Sequence, residues 1–288
     1  MRADEAGTPR HEKPHAGHLT TLEGSVQGTT ETATWAASSN GRGEDRPRIL
    51  VVIPAWNEVR TVAEVVCEVR ERCPGVDVLV VDDGSWDDTV RAAGSAGALV
   101  CRLPFNLGVG GAMRAGYRYA LRHGYDVVVQ VDADGQHDPA YLEKLVAGLA
   151  DADIVIGARF AGEGAYPAKG PRRWAMVILA KVPSRLAGQR LTDVTSGFRA
   201  ANLRAITVFA THYPTEYLGD TVESLVIALR NGCRVTQVPV AMRPRAAGCA
   251  SQSPLRSSVY LLRALIALGL GLVRRWPHIP EIPPREGC

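Results

Sequence analysis

The 288-residue sequence has little net charge, no long apolar run and no closely spaced cysteine pair. Its 33 Lys and Arg residues nearly balance its 30 Asp and Glu residues, which argues against nucleic-acid binding driven by electrostatics alone. None of the six cysteines forms a C-x-x-C pair, so scattered thiols in a reducing compartment are a simpler interpretation than a zinc site. Because no uncharged apolar run reaches about 18 residues, we expect no standard membrane span.

Several familiar motifs are also missing. The sequence contains no Walker P-loop, no G-x-S-x-G nucleophile elbow and no H-E-x-x-H zinc motif. A glycine-rich stretch at 106–111 departs from the Rossmann G-x-G-x-x-G pattern, because Met113 occupies the third glycine position and because the stretch follows the third predicted strand. Dinucleotide binding is therefore disfavoured. No apolar signal-peptide core follows the first residue, so we expect a cytoplasmic location.

The composition that is present, 46% hydrophobic and 22% charged, is typical of a globular protein. Residues 1–46 are poor in large apolar side chains and predict a disordered tail. We expect a single α/β domain over 47–250, followed by an amphipathic helix and a tail over 251–288. The apolar segment within 255–276 is flanked by arginines, so it either packs on the core or lies on the cytoplasmic face of a membrane.

Buried strands alternate with helices from residue 48 onwards, which predicts a mostly parallel sheet flanked by helices. The regularity fades after Gly157, where 161–171 is rich in Gly and Pro and predicts a loop. The predicted strands are 49–53, 76–81, 98–103, 125–131, 153–157 and 235–242. The predicted helices include 59–69, 110–123, 174–186 and 220–230, with a short helix after Asp87 or Asp88 and another that begins at Pro139.

Acidic and glycine-bearing loops follow the predicted strands at the edge where ligands bind in such sheets. Asp132-Ala133-Asp134 places two carboxylates beside Gln136 and His137, an oxygen-rich set that suits Mg²⁺ or Mn²⁺. The alternative is an ordinary turn, since Asp and Gly favour turns anyway.

Asp82 and Asp83 end another strand and would accept hydrogen bonds from a base or a ribose, or would simply form a strand-to-helix turn. Trp56 would pack near a base, and Glu58 would hydrogen-bond to the edge of that base. The alternative is that Asn57 in this segment only initiates a helix. Arginines in the second half suit phosphate binding, although any one of them is also compatible with a solvated surface charge.

Taken together and in this order, the motifs resemble the family 2 glycosyltransferases of GT-A fold, in particular the dolichol-phosphate mannosyltransferase (polyprenyl-phosphate glycosyltransferase) group. The resemblance covers residues 48–255. The segments that carry it are 52–58, 81–85 with Asp87 and Thr89, 106–110, 132–139, 157–160, 195–199 and 238–240 with Arg243 and Arg245.

This resemblance implies a set of site residues. The nucleotide-sugar candidates are Pro54, Ala55, Asn57, Glu58, Asp82, Asp83, Asn106, Gly110, Asp132 and Ala133; the metal candidates are Asp132, Asp134 and Gln136; the catalytic candidates are Asp134, Arg159, Asp193 and Arg199; the acceptor-phosphate candidates are Arg159, Arg172, Arg173 and Arg199. Relatives often carry Arg-x-x-x-Ser for the lipid phosphate, whereas here Met176 and Val177 stand at the serine spacing from the two arginines.

The resemblance implies a metal-dependent inverting enzyme that moves a hexose of mannose or glucose type from a GDP- or UDP-sugar to a polyprenyl phosphate. One alternative is transfer to a soluble hydroxyl acceptor, which needs a carboxylate base such as Asp193 or Asp220. A second alternative is a nucleotide-sugar-binding protein without catalysis. The sequence does not indicate the oligomeric state.

Overall fold

The computed structural model describes residues 46–159, 180–215 and 220–244, so residues 1–45 of the predicted N-terminal tail, the 161–171 loop and the 251–288 segment lie outside the described residues. Its seven strands are β1 (Ile49–Ala55), β2 (Asp77–Asp82), β3 (Leu99–Arg102), β4 (Val127–Gln130), β5 (Ile154–Ala158), β6 (Arg199–Asn202) and β7 (Val235–Pro239). They form one sheet in the order β3-β2-β1-β4-β6-β5-β7.

Helices flank this sheet. They are α1 (Val62–Arg72), α2 (Thr89–Ser95), α3 (Gly108–Arg122), α4 (Leu142–Ala147), α5 (residues 180–187), α6 (Leu203–His212) and α7 (Asp220–Arg230). Short 3₁₀ turns at Pro139–Tyr141 and Gly148–Ala150 precede and follow α4. Among the described residues, no helix has both the length and the apolar character needed to cross a bilayer.

Strand direction places the loops of interest at one edge. β1 pairs in parallel with β2 and β4, β2 pairs in parallel with β3, and β5 pairs in parallel with β7. β6 runs antiparallel to both of its neighbours, β4 and β5. The segment that enters β6 therefore lies at the same edge as the carboxyl ends of the parallel strands.

The predicted mostly parallel α/β sheet is confirmed, but β6 and α6 are not among the predicted elements. β6 is only four residues long and reads Arg-Ala-Ala-Asn, which lacks the β-branched residues that mark the other strands. Its conformation comes from pairing with strands on both sides. α6 begins immediately afterwards, where Asn202 Oδ1 accepts a hydrogen bond from Ala205 N over 3.2 Å.

The core consists of two apolar layers, one on each face of the sheet. Along β1, Ile49, Val51 and Ile53 pack into one layer, whereas Leu50 and Val52 pack into the other. Both sets are buried. This burial on both faces explains why the strand is a continuous apolar run instead of an alternating one.

At Gly116, α3 packs closely against the sheet. A Cβ added at Gly116 would lie 2.5 Å from Val52 Cγ1, whereas one added at Gly94 of α2 would meet no atom within 4 Å. We predict that Gly116→Ala lowers the free energy of unfolding by about 1–3 kcal/mol because it overpacks this contact. The matched Gly94→Ala variant should gain about 0.5–1 kcal/mol from helix propensity. Urea unfolding of both variants checks this, and equal effects would contradict the packing interpretation.

Candidate active site

Asn57 links two loops at the carboxyl edge of the sheet through hydrogen bonds. This residue has a left-handed backbone with φ of 57°, a conformation that asparagine tolerates better than most residues. Its N–H donates to Ser85 Oγ over 2.8 Å, and its Oδ1 accepts from Trp86 N over 3.0 Å. Glu58 N donates to Thr89 Oγ1 over 2.9 Å. The loop after β1 and the loop after β2 therefore form one fixed unit.

Asp82 and Asp83, at the end of β2, are both buried and face different partners. Ser85 N lies 3.3 Å from Asp82 Oδ2, and Arg102 Nε lies 3.7 Å from the same oxygen. The two Asp83 oxygens accept from Leu107 N and Gly108 N over 2.7 and 2.8 Å. Burial raises the pKa of Asp83, an effect that these two N–H donors oppose. Asp83 therefore holds the glycine-rich turn at the start of α3.

Two exposed tryptophans stand beside these loops. The rings of Trp56 and Trp86 meet edge to face, with centroids 5.7 Å apart. Trp56 is 47% exposed and Trp86 is 81% exposed, although most large apolar side chains of the described residues are buried. An exposed aromatic face suits a planar heterocycle, which can stack on the ring.

The Asp132-Ala133-Asp134 segment follows β4 at the centre of this edge. The Asp132 side chain is 37% exposed, whereas Asp134 is buried and its Oδ1 accepts from Gln136 N over 3.0 Å. Among the described residues, no group of three or more His, Cys, Asp or Glu side chains is arranged to hold a metal ion. Two carboxylates and an amide fit Mg²⁺ or Mn²⁺, because these cations commonly keep waters and substrate phosphates as their other ligands.

His137 and the segment after β7 make contacts that hold the loop after β4 in place. His137 Nδ1 accepts from Asp132 N over 3.0 Å, and the imidazole stacks on Phe198 with ring centroids 4.7 Å apart. Arg243 N donates to Gln136 O over 3.0 Å. The Arg243 guanidinium pairs with Glu68 of α1 over 2.8 Å and with Asp138 over 2.7 Å. The loop is thus held by α1 and by the chain after β7.

Arg159, directly after β5, is oriented by a buried carboxylate. Its Nε and Nη2 donate to the two oxygens of Asp193 over 2.6 and 2.8 Å, and its backbone N donates to Asp193 Oδ2 over 3.2 Å. Thr195 Oγ1 also donates to Asp193 Oδ1 over 3.2 Å. Each carboxylate oxygen therefore accepts two hydrogen bonds, about the capacity of the group. This arrangement favours orientation of Arg159 over proton abstraction as the role of Asp193.

Arg199, the first residue of β6, is only 2% exposed. Its guanidinium donates to the carbonyl oxygens of Val194, Ser196 and Thr221 and to Ser224 Oγ over 2.7–3.2 Å. Within the described part of the chain it has no carboxylate partner. Arg199 thus shapes the loop before β6 and ties it to α7.

The structure brings most of the predicted residues to one edge: Pro54, Ala55, Asn57, Glu58, Asp82, Asp83, Asn106, Asp132, Ala133, Asp134, Gln136, Arg159, Asp193 and Arg199. Gly110 is buried in the first turn of α3. Arg172 and Arg173 lie outside the described residues. Gln130, Thr195 and Gly197 also neighbour the site, although they are not among the predicted site residues. Thr195 and Gly197 lie in the 195–199 segment that carries the family resemblance, and Gln130 is the one polar residue in the strand Val-Val-Val-Gln.

A GT-A-like fold that presents this ordered set of motifs at one edge defines a glycosyltransferase. The chain belongs to glycosyl transferase family 2, because the sequence model of that family matches residues 50–209. Undecaprenyl-phosphate mannosyltransferase of Micrococcus luteus is 34% identical over 240 residues, which cover 80% of this chain and 96% of the relative. Polyprenol monophosphomannose synthase of Mycolicibacterium smegmatis is 33% identical over 74% of this chain and 86% of its own length.

Solved structures share the fold at lower identity. Glucosyl-3-phosphoglycerate synthase from Mycobacterium tuberculosis, in complex with Mn²⁺, UDP and phosphoglyceric acid, superposes with a TM-score of 0.59 at 21% identity, covering 78% of each chain. Mannosyl-3-phosphoglycerate synthase from Rubrobacter xylanophilus gives a TM-score of 0.61 at 19% identity, covering 82% of this chain and 79% of that one.

We expect Asp193→Asn to lower the free energy of unfolding by about 3 kcal/mol, because an amide replaces the buried carboxylate that accepts hydrogen bonds from Arg159 and Thr195. Asp151→Asn, at an exposed position, is the matched control and should be neutral. Residual transferase activity should keep the wild-type pH profile. Loss of the acidic limb of that profile with unchanged stability would instead identify Asp193 as a general base.

Proposed function

We propose that this glycosyltransferase moves a hexose from a nucleotide sugar to a polyprenyl phosphate, with a divalent cation and inversion at the anomeric carbon. Binding of the nucleotide-sugar donor is supported chiefly by the Asp132-x-Asp134 pair, which lies at the same edge of the sheet as the linked loops after β1 and β2. The acceptor half rests on the relatives and on the state of Asp193.

In the donor half, the acidic pair and Gln136 would hold Mg²⁺ or Mn²⁺ against the diphosphate, and the cation would supply Lewis-acid stabilisation of the departing phosphate oxygen. Solved neighbours contain Mn²⁺ or Mg²⁺ together with UDP, which supports this assignment. Trp56, which is 47% exposed, would stack on the nucleobase. Asp82 is buried and would act through the loop that it holds at Ser85.

In the acceptor half, Arg159 would bind the acceptor phosphate. A phosphate with a second pKa of about 6 is already ionised at neutral pH, so it needs positioning more than it needs a base. This fits an Asp193 carboxylate whose oxygens are both taken by Arg159 and Thr195. Direct attack by the phosphate oxygen breaks the bond from the anomeric carbon to the diphosphate and inverts that carbon.

The names of the relatives support the acceptor more strongly than the sugar. Two of them name mannose and a polyprenyl carrier, whereas a relative from Methanococcus voltae, 26% identical, names N-acetylglucosamine and dolichyl phosphate. The lipid phosphate is common to all three names and the sugar is not. We infer mannose as the first sugar to test. A lipid acceptor also favours the prediction that 255–276 contacts a membrane surface.

Transfer itself is the test of the proposal. Full-length protein incubated with Mn²⁺ or Mg²⁺, undecaprenyl phosphate and radiolabelled GDP-mannose, or UDP-glucose in parallel, should convert label into an organic-extractable product. Chelation with EDTA should abolish the product, and restored Mn²⁺ should recover it. Label that enters only water-soluble products would support the hydroxyl-acceptor alternative, and no transfer from either donor would contradict the proposed substrates.

The proposed stacking on Trp56 gives a separate expectation. Trp56→Ala should weaken binding of GDP or UDP at least about fivefold, because base–aromatic stacking is worth about 1–3 kcal/mol. Trp56→Phe should retain most of the affinity, since a planar ring remains. Calorimetric titration with each nucleoside diphosphate in the presence of Mn²⁺ measures this, and equal affinities for the Ala variant and the wild type would rule out stacking.

A further inference from the structure

Gln130, the last residue of β4, is a buried polar side chain whose polar contact leads to the proposed metal site. It is 3% exposed, and its Nε2 donates to Asp132 Oδ1 over 3.1 Å. Its Oε1 is buried without a hydrogen-bond partner among the described residues. Turning the amide round would set Oε1 against the Asp132 carboxylate, so an ionised Asp132 requires the orientation described here.

An unpaired buried carbonyl is unfavourable for folding, and one amide hydrogen bond does not fully offset it. An apolar side chain of the same size would be a better choice for stability alone. The hydrogen bond to Asp132 is the one polar contact that the Gln130 side chain makes within the described residues, and it is therefore best explained by its effect on Asp132. That effect is to fix one carboxylate oxygen and leave the partly exposed side of the group for a ligand.

Gly197, in the loop before β6, lies directly against the Gln130 amide and the Asp132 carboxylate. An added Cβ there would lie 2.9 Å from Gln130 Nε2 and 3.2 Å from Asp132 Oδ2. Gly197 is absent from the positive-φ residues of the described chain, so the lack of a side chain serves this close approach and not an unusual backbone. Arg199, the register partner of Gln130, holds the loop in place through Ser196 O.

We propose that Gln130 is a positioning residue that orients the Asp132 carboxylate for the divalent cation, and that Gly197 provides the space for this contact. The inference rests on the proposed function, because it assumes that Asp132 binds the cation. Groups that orient a metal ligand in this way typically change metal affinity by about 10–100-fold when they are removed.

Gln130→Met tests the inference, because methionine is similar in length and unbranched but has no N–H to donate. We expect Mn²⁺ affinity in the presence of GDP or UDP, measured by electron paramagnetic resonance of free Mn²⁺, to fall about tenfold. The free energy of unfolding without metal should be unchanged or higher, since the variant removes the unpaired carbonyl. Gln189→Met, which loses a hydrogen bond to Val235 O far along the chain from this loop, is the matched control and should keep wild-type Mn²⁺ affinity.

Gly197→Ala provides a second variant that retains the Gln130 amide. It should also weaken Mn²⁺ binding, because the new methyl group displaces the amide or the carboxylate. Wild-type Mn²⁺ affinity in both variants, or a metal-free stability of Gln130→Met that falls well below wild type, would overturn the inference. Failure of the wild-type protein to bind Mn²⁺ with either nucleotide would instead contradict the proposed function.

Discussion

The reversed strand β6 is the constraint on which the rest of the site depends. It is hydrogen-bonded to β4 on one side and to β5 on the other, in antiparallel register with both. Because of this reversal, the segment 193–198 reaches the edge where the parallel strands end. Asp193 thereby meets Arg159, and Gly197 meets Asp132. A parallel strand in the same place would have brought these residues to the opposite edge of the sheet.

Buried charge stabilises the geometry of this edge. Asp83 accepts from the turn that starts α3, Asp193 accepts from Arg159, and Arg199 donates to three carbonyl oxygens of neighbouring segments. Each group is taken out of water and is compensated by several hydrogen bonds, as burial requires. These contacts join loops that are distant in sequence, so the protein's own hydrogen bonds set the relative positions of the loops. Such preorganisation suits electrostatic stabilisation of a departing diphosphate.

The sequence predicted the parallel part of the fold well, because β1, β2, β4 and β5 are short apolar runs bounded by turn residues. It did not predict β6, whose Arg-Ala-Ala-Asn sequence gains strand conformation from its neighbours. The acidic loops were found because their residue types are unusual at strand ends. Asp83, Asp193 and Arg199 could not be separated from ligand-binding groups by sequence alone, since that distinction depends on hydrogen-bond partners that lie 22–34 residues away along the chain.

The division of labour between the two acidic residues after β4 follows from their surroundings. Asp134 is buried and engaged by the backbone of its own turn, whereas Asp132 is partly exposed and is held by Gln130 and His137. The two carboxylates alone do not fill the coordination sphere of a cation, and the described residues provide no third acidic or imidazole side chain arranged for a metal. A diphosphate would supply the missing oxygen ligands. In the proposed function, the cation and the nucleotide sugar therefore bind together, and the protein supplies only part of the cation's ligands.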